Sequence, residues 1–326
     1  MFLPLFLLSC QEEKTADEVG ETQLMRVEAE RPLMGTMFRV CTYTEDLEAG
    51  YEVMEKAFDV AEEFGQRATD YVPDSELNKL TRGPVGVPQE VSENLFEVLL
   101  LGRDLAVKTE GIYDPTFGPL THLWRLSKRV RSVPSEEQIA AARERCGIEF
   151  LKFDEEAKTI TILRERMQLD LGGIGKGFAA DLIFDHLVEA GYENSLVVAG
   201  GDLRIGDPPP DKEGWEVSLR TFRMSPMSSI SLKNCAVSTS GDLYQNFQSD
   251  GTQYSHLIDL ETGLGLTSRR AASVILPMAK LTDPLATSAC LADDPASLFT
   301  DFEGASIRVV YENKEIPPVL TGVFAK

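Results

Sequence analysis

The segment FLKFDEEAKTITIL, residues 150 to 163, alternates apolar and polar positions on both sides of an acidic turn. That period of two is the pattern of a β-hairpin with one buried face, so its arms are antiparallel neighbours. Helical periods stand beside it. Residues 50 to 68 and 92 to 109 carry apolar side chains at helical spacing, as in Leu95, Val98, Leu99 and Leu105, among good helix formers. Ser135, followed three residues later by Gln138, opens an Ala-rich third helix over 135 to 146. Short strands fit SLVVAGG, WEVSLR, SSISLKNCAVSTS, ASVILP and SIRVVYE, and GDPPPDKEG (206 to 214) is a surface loop by composition. Helices mixed with antiparallel strands predict an α+β fold. With 326 residues, 43% of them hydrophobic, the chain buries a substantial core as one large domain or as two lobes sharing an interface.

Charge narrows the partners. The formal charge is -21, from 53 acidic against 32 basic residues, and such a surface repels a phosphate backbone. Nucleic acid is therefore not expected as a partner, whereas a ligand with two phosphates needs only a local metal ion or a few backbone N–H groups. The first ten residues, MFLPLFLLSC, are too short to span a bilayer, and residues 11 to 20 are polar and acidic like a tether. We read residues 1 to 25 as a signal and tether and 26 to 326 as the catalytic domain. Leu7-Leu8-Ser9-Cys10 resembles a bacterial lipobox, in which the Cys is lipidated; no Lys or Arg precedes the apolar run, so the expected start lies upstream. The other cysteines, Cys41, Cys146, Cys235 and Cys290, lie far apart without metal spacing and read as core residues.

Two stretches carry possible chemistry. LDLGGIGKGFAAD, residues 169 to 181, fails as a P-loop because Asp170 and Gly177 stand where a Gly and a Ser or Thr are needed. It fails as a dinucleotide fingerprint because Phe178 replaces the last glycine. What remains is a Gly-rich turn entering an Ala-rich helix, either a tight connection or a place where backbone approaches a phosphate or metal. In TDPLATSACLAD, residues 282 to 293, Asp283 followed by Pro284 reads as an N-cap and N1 pair, with Thr287 on the same face four residues on. The same carboxylate and hydroxyl would also suit Mg²⁺, whose shell is completed by waters and phosphates.

Taken in order, MGT (34 to 36), SELNKLT (75 to 81), YDPTFGPLTHLW (113 to 124), LDLGGIGKGFAAD, AGGDLRIG (199 to 206), AVSTSGDLYQNF (236 to 247), YSHLIDLETG (254 to 263) and DPLATSACLAD (283 to 293) resemble the ApbE family of bacterial FAD:protein FMN transferases. The chain departs from the common pattern at Gly175, Pro284 and Leu260. The resemblance implies a T-fold-like α+β core with the active site in a cleft between two lobes. It implies Mg²⁺ held by the Gly173 carbonyl, Asp283 and Thr287, with FAD as substrate beside Met34, Tyr113, Asp114, Asp170 and Lys176. Tyr71 is then either a wall for the flavin or core packing.

The implied reaction is attack of a Ser or Thr hydroxyl of a target protein on the flavin-side phosphorus of FAD, with AMP leaving. A neutral hydroxyl needs a base. Of the three histidines, His186 sits in an amphipathic helix and His122 in the DPTFGPLTHLW block, whereas His256 holds the position that the resemblance associates with proton transfer and with the flavin nucleotide. Asp259 would orient His256 only across a turn or bulge, because positions three apart on a strand face opposite ways. The implied acceptor is a membrane redox protein with a Ser/Thr flavinylation motif. The implied location is the outer face of the inner membrane, through the Cys10 lipid. An FAD pyrophosphatase and a non-catalytic FAD carrier are the alternative classes.

Overall fold

The computed structural model describes residues 24–219, 228–241, 246–249, 251–259 and 262–325. Its centre is an antiparallel sheet of eight strands. In spatial order these are β1 (Met25–Leu33), β2 (Thr36–Thr44), β6 (Leu196–Ala199), β7 (Asp202–Ile205), β10 (Cys235–Gly241), β13 (Arg270–Leu276), β14 (Ser306–Tyr311) and β15 (Val319–Leu320). Period-two alternation assigns the two faces. Val40, Ala236 and Val274 enter the main core, while their neighbours Cys41, Val237 and Ile275 pack on the opposite face against Trp215 and Val217. Those last two belong to the hairpin of β8 (Trp215–Leu219) and β9 (Ser228–Leu232).

Three helices cover the core face. They are α1 (Leu47–Ala68), α6 (Gly175–Glu189) and α7 (Ala279–Leu291), with α1 and α6 meeting through Phe64 and Phe178, whose ring centroids are 4.9 Å apart. The core continues through α2 (Glu76–Arg82), α3 (Glu93–Lys108) and a small sheet of β3 (Gln89–Glu90), β4 (Leu151–Asp154) and β5 (Thr159–Ile162). The expected hairpin is present, with Leu151 opposite Ile162 and Asp154 opposite Thr159. The helices expected over 50 to 68 and 92 to 109 appear as α1 and α3.

A second, smaller cluster joins α4 (Gly118–Val130), α5 (Glu136–Arg143) and the hairpin of β11 (Asn246–Ser249) and β12 (Thr252–Ser255). The Ser135–Gln138 capping box opens α5 as the sequence predicts. Trp124 on α4 lies against Phe247 and Tyr254 on the hairpin, at centroid distances of 5.2 and 5.7 Å. The mixed, largely antiparallel α+β fold is thus the one expected. Cys41, Cys146, Cys235 and Cys290 are all free thiols. Cys10 lies outside the described residues, and among those residues no helix is long and apolar enough to cross a membrane.

Candidate active site

A cluster of charged side chains lies where α6 and α7 touch. Gly177 makes that contact possible: a Cβ there would lie 2.2 Å from the Ala279 carbonyl oxygen and 2.9 Å from the Asp283 Cβ. The two helices also cap each other. Gly177 N–H, at the start of α6, donates to Asp283 Oδ2 (3.1 Å) on α7. In return, the N–H groups of Ala279 and Lys280 that begin α7 donate to Asp181 Oδ1 (3.0 Å) and Oδ2 (2.8 Å) on α6. Carboxylates at two helix N-termini meet orphan donors and the positive ends of both dipoles.

This corrects the reading of Asp283 and Pro284 as N-cap and N1. Helix α7 begins at Ala279, so both residues lie inside it, and Pro284 leaves the Lys280 carbonyl without a helical donor. The local Asp-Pro signal is genuine, but Asp181 does the capping from a neighbouring helix. Local sequence could not reveal that.

Lys176, half-buried one residue before Gly177, completes a triad with two buried carboxylates. Its Nζ donates to Asp202 Oδ2 at 2.8 Å and to Asp283 Oδ2 and Oδ1 at 3.2 and 3.4 Å. Burial, helped by the Asp202 charge, pushes the Asp283 carboxyl up to about 6, and the two carboxylates raise Lys176 despite its own burial. One turn along α7, Thr287 Oγ1 lies 3.1 Å from Ser240 Oγ, and Ser238 Oγ lies 2.7 Å from Thr282 Oγ1. Ser238 and Ser240 are two apart on β10, so one strand face steadies both hydroxyls of α7.

Tyr113 stands beside this cluster. It packs beside Gly173, where a Cβ would be 3.6 Å from the ring, and it feels the charges of Asp283, Asp170 and Asp114. Its buried hydroxyl has no hydrogen-bond partner among the described residues. Asp114 itself accepts from Thr116 N–H at 2.7 Å in a turn, and burial raises its carboxyl. Met34 reaches over from the β1–β2 turn, its Cε 3.2 Å from where a Gly175 Cβ would be. Met34 and Gly35 have φ of +48° and +75°, so the turn holds a methionine in left-handed space.

The second side of the site is α4. Asp170 accepts from Thr121 Oγ1 at 2.6 Å, Arg125 Nη2 at 2.8 Å and Gly172 N–H at 2.7 Å. Arg125 also pairs with Asp70, which His122 Nε2 meets at 2.8 Å. Burial would raise the Asp70 carboxyl, but His122 and Arg125 outweigh it and hold it low. His256 follows β12 and is tied to the same helix, because Trp124 Nε1 donates to the Ser255 carbonyl at 3.0 Å. Leu266 pairs with both Ser255 and Leu257, and Leu257 N–H donates to Ser255 Oγ, so the chain bulges at His256. Asp259 accepts from Thr262 N–H at 3.0 Å in the turn that follows.

The sequence profile of the ApbE family matches residues 34–300. The chain belongs to the ApbE family. Among curated proteins it is 31% identical over 263 residues to an FAD:protein FMN transferase of Vibrio cholerae, covering 78% of each chain. It is 27% identical over 299 residues to one of Haemophilus influenzae, covering 87% of this chain and 83% of that protein. Among solved structures it superposes on the flavin transferase ApbE of Vibrio cholerae with a TM-score of 0.82 and 25% identity, covering 93% of this chain and 99% of the other.

Within this ApbE fold, Gly173, Asp283, Lys176, Tyr113 and Met34 gather around the α6–α7 contact, while Asp170 faces α4 and Tyr71 stands on the loop before α2. Sequence reasoning missed Asp202, Asp181 and Arg125. The first two stand inside quoted ApbE blocks, AGGDLRIG and LDLGGIGKGFAAD, and Arg125 directly follows YDPTFGPLTHLW. Their hydrogen-bond partners lie 26 to 99 residues away in the chain, so no local pattern signalled them. His186 lies in the last turn of α6 and is half-buried.

Proposed function

We infer that this chain is itself an FAD:protein FMN transferase, moving the FMN half of FAD to a Ser or Thr hydroxyl of another protein and releasing AMP. The observation that carries this reading is the α6–α7 junction, where a carboxylate and a hydroxyl of α7 meet the glycine turn at the start of α6, near a buried tyrosine hydroxyl that has no partner among the described residues. An orphaned polar group at such a place calls for a ligand.

We further propose Mg²⁺ at this junction. Among the described residues no group of three or more His, Cys, Asp or Glu side chains is placed to hold a metal ion. Mg²⁺ does not require one, since it commonly takes one or two carboxylates and fills its shell with other oxygens and substrate phosphates. The Asp283 carboxylate, the Thr287 hydroxyl and the Gly173 carbonyl are such a donor set. When bound there, Mg²⁺ would supply positive charge that neutralises the pyrophosphate oxygens.

The chain's own residues carry the remaining work. Lys176, held between Asp202 and Asp283, provides a fixed cation at the same place. Met34, Tyr113 and Tyr71 supply apolar and aromatic surface for the flavin nucleotide. His256, lifted out of the ladder by its bulge, takes the proton of the attacking hydroxyl as that oxygen bonds to the flavin-side phosphorus and the P–O bond to AMP breaks. We also propose that Cys10 is lipidated and holds the enzyme on the outer face of the inner membrane, next to a redox acceptor. Cys10→Ala should then move the protein from the membrane to the soluble fraction. An unaltered distribution speaks against the anchor.

Flavinylation is tested by incubating the protein with FAD, Mg²⁺ and an acceptor bearing a Ser/Thr-Gly-Ala-Ser/Thr motif. His256→Ala should bind FAD normally and label the acceptor 10²- to 10⁴-fold more slowly. Near-normal labelling by that variant would place the base elsewhere.

A further inference from the structure

We propose that Arg125 is a positioning residue for the flavin, fixing the Tyr71 ring as a rigid plate at the mouth of the site. The inference rests on the transferase reading above. Tyr71 is 74% exposed, which for a tyrosine on an ordered loop leaves most of one ring face open. The other face lies on Arg125, whose guanidinium carbon is 4.6 Å from the ring centroid. Beside the ring is a depression of about 250 Å³ lined by Asp70, Tyr71, His122, Arg125, Leu126 and Arg129.

Arg125 does more than lie beneath the ring. One Nη meets Asp70, the residue before Tyr71, and the other meets Asp170 Oδ2 at 2.8 Å on the glycine-rich turn that leads to Gly173. The guanidinium therefore ties the Tyr71 loop to the turn of the proposed metal site. Its planar fork fixes both carboxylates in one geometry, which a lysine ammonium cannot do while also lying flat against a ring. The loop's other side is held by Asn78 in the SELNKLT block, which donates to the carbonyls of Asp70 at 3.0 Å and Val72 at 2.8 Å. The Tyr71 loop is thus braced through Asp70 and Val72, while among the described residues the Tyr71 side chain stays largely exposed. A planar heteroaromatic ring stacking there meets a plate that loses little freedom on binding.

FAD affinity and the fluorescence of bound flavin, measured in Mg²⁺ on Arg125→Met, Tyr71→Leu and the double variant, decide the matter. Arg125→Met should weaken FAD binding about tenfold and leave the bound flavin less quenched. In the Tyr71→Leu background the same change should alter affinity less than about twofold, because the plate it positions is gone. Equal losses in both backgrounds, or wild-type binding by Arg125→Met, would overturn the proposal. Arg125→Lys keeps a cation between the carboxylates and guards against misfolding; it should melt like wild type yet lose part of the quenching, and full quenching would count against us. Wild-type protein that fails to bind FAD would overturn the transferase reading as well. A loss in Tyr71→Leu with none in Arg125→Met defeats this inference alone.

Discussion

Asp283 carries opposing demands at one carboxylate. It is buried, faces Asp202 and accepts from Gly177 N–H, and burial pushes its carboxyl up to about 6. A proton on that group competes with a metal for the same oxygens. The raised value means that the metal-free folded protein holds the proton below about pH 6 and releases it above. Mg²⁺ affinity should therefore be flat above that pH and fall by up to about tenfold per unit below it. Calorimetric titration of Mg²⁺ at pH 5, 6 and 7 checks this, and equal affinity at all three contradicts it. Met34 is the second residue under tension. Its φ of +48° is unfavourable for a side chain of this size, and the strain is maintained where Met34 overlies Gly65 and Gly175. Met34→Asn, better suited to the turn, should stabilise the fold by about 1 kcal/mol while weakening FAD binding. A melting curve paired with a fluorescence titration separates the two effects; a variant with unchanged stability and affinity would remove the argument from strain.

Helices α6 and α7 are held by exchanges with each other rather than by side-chain caps at their own ends. Asp181 of α6 caps α7 while Asp283 of α7 receives the start of α6, and Arg204 Nε lies 3.1 Å from Asp181 Oδ1. Asp181→Ala should thus lower stability by about 1–2 kcal/mol through the lost cap and also weaken Mg²⁺ binding, since α7 carries Asp283 and Thr287. A stability loss with unchanged metal affinity would show that the cap does not place the helix. Gly177→Ala should cost about 1–3 kcal/mol by forcing apart backbones that approach too closely for any side chain. What was legible in the sequence follows from this. The period-two arms of β4 and β5 and the capping box of α5 are local, and they appear where expected. The Asp283-Pro284 pair is also local, but tertiary contacts override it, because α7 starts four residues earlier under a carboxylate 98 residues away.

At the scale of the molecule, one chain of net charge -21 builds a site for a substrate bearing two phosphates. On the proposed reading it does so with a lysine held between two buried carboxylates on the sheet's helical face and with α4 packed on the β11–β12 hairpin. The ordered blocks made part of the candidate site readable, since Lys176 and Asp283 stand in two of them and meet although 107 residues apart. The bracing was not readable, because Arg125 meets carboxylates 55 and 45 residues away in opposite parts of the sequence. On the proposed reading this site transfers FMN rather than releasing or storing it. The most direct measurement follows the flavin and the AMP together after FAD is mixed with the protein, Mg²⁺ and a motif-bearing acceptor. The predicted result is covalent flavin fluorescence on the acceptor with one AMP released per flavin attached, abolished by EDTA. Free FMN and AMP with an unlabelled acceptor, or FAD recovered intact, would contradict it.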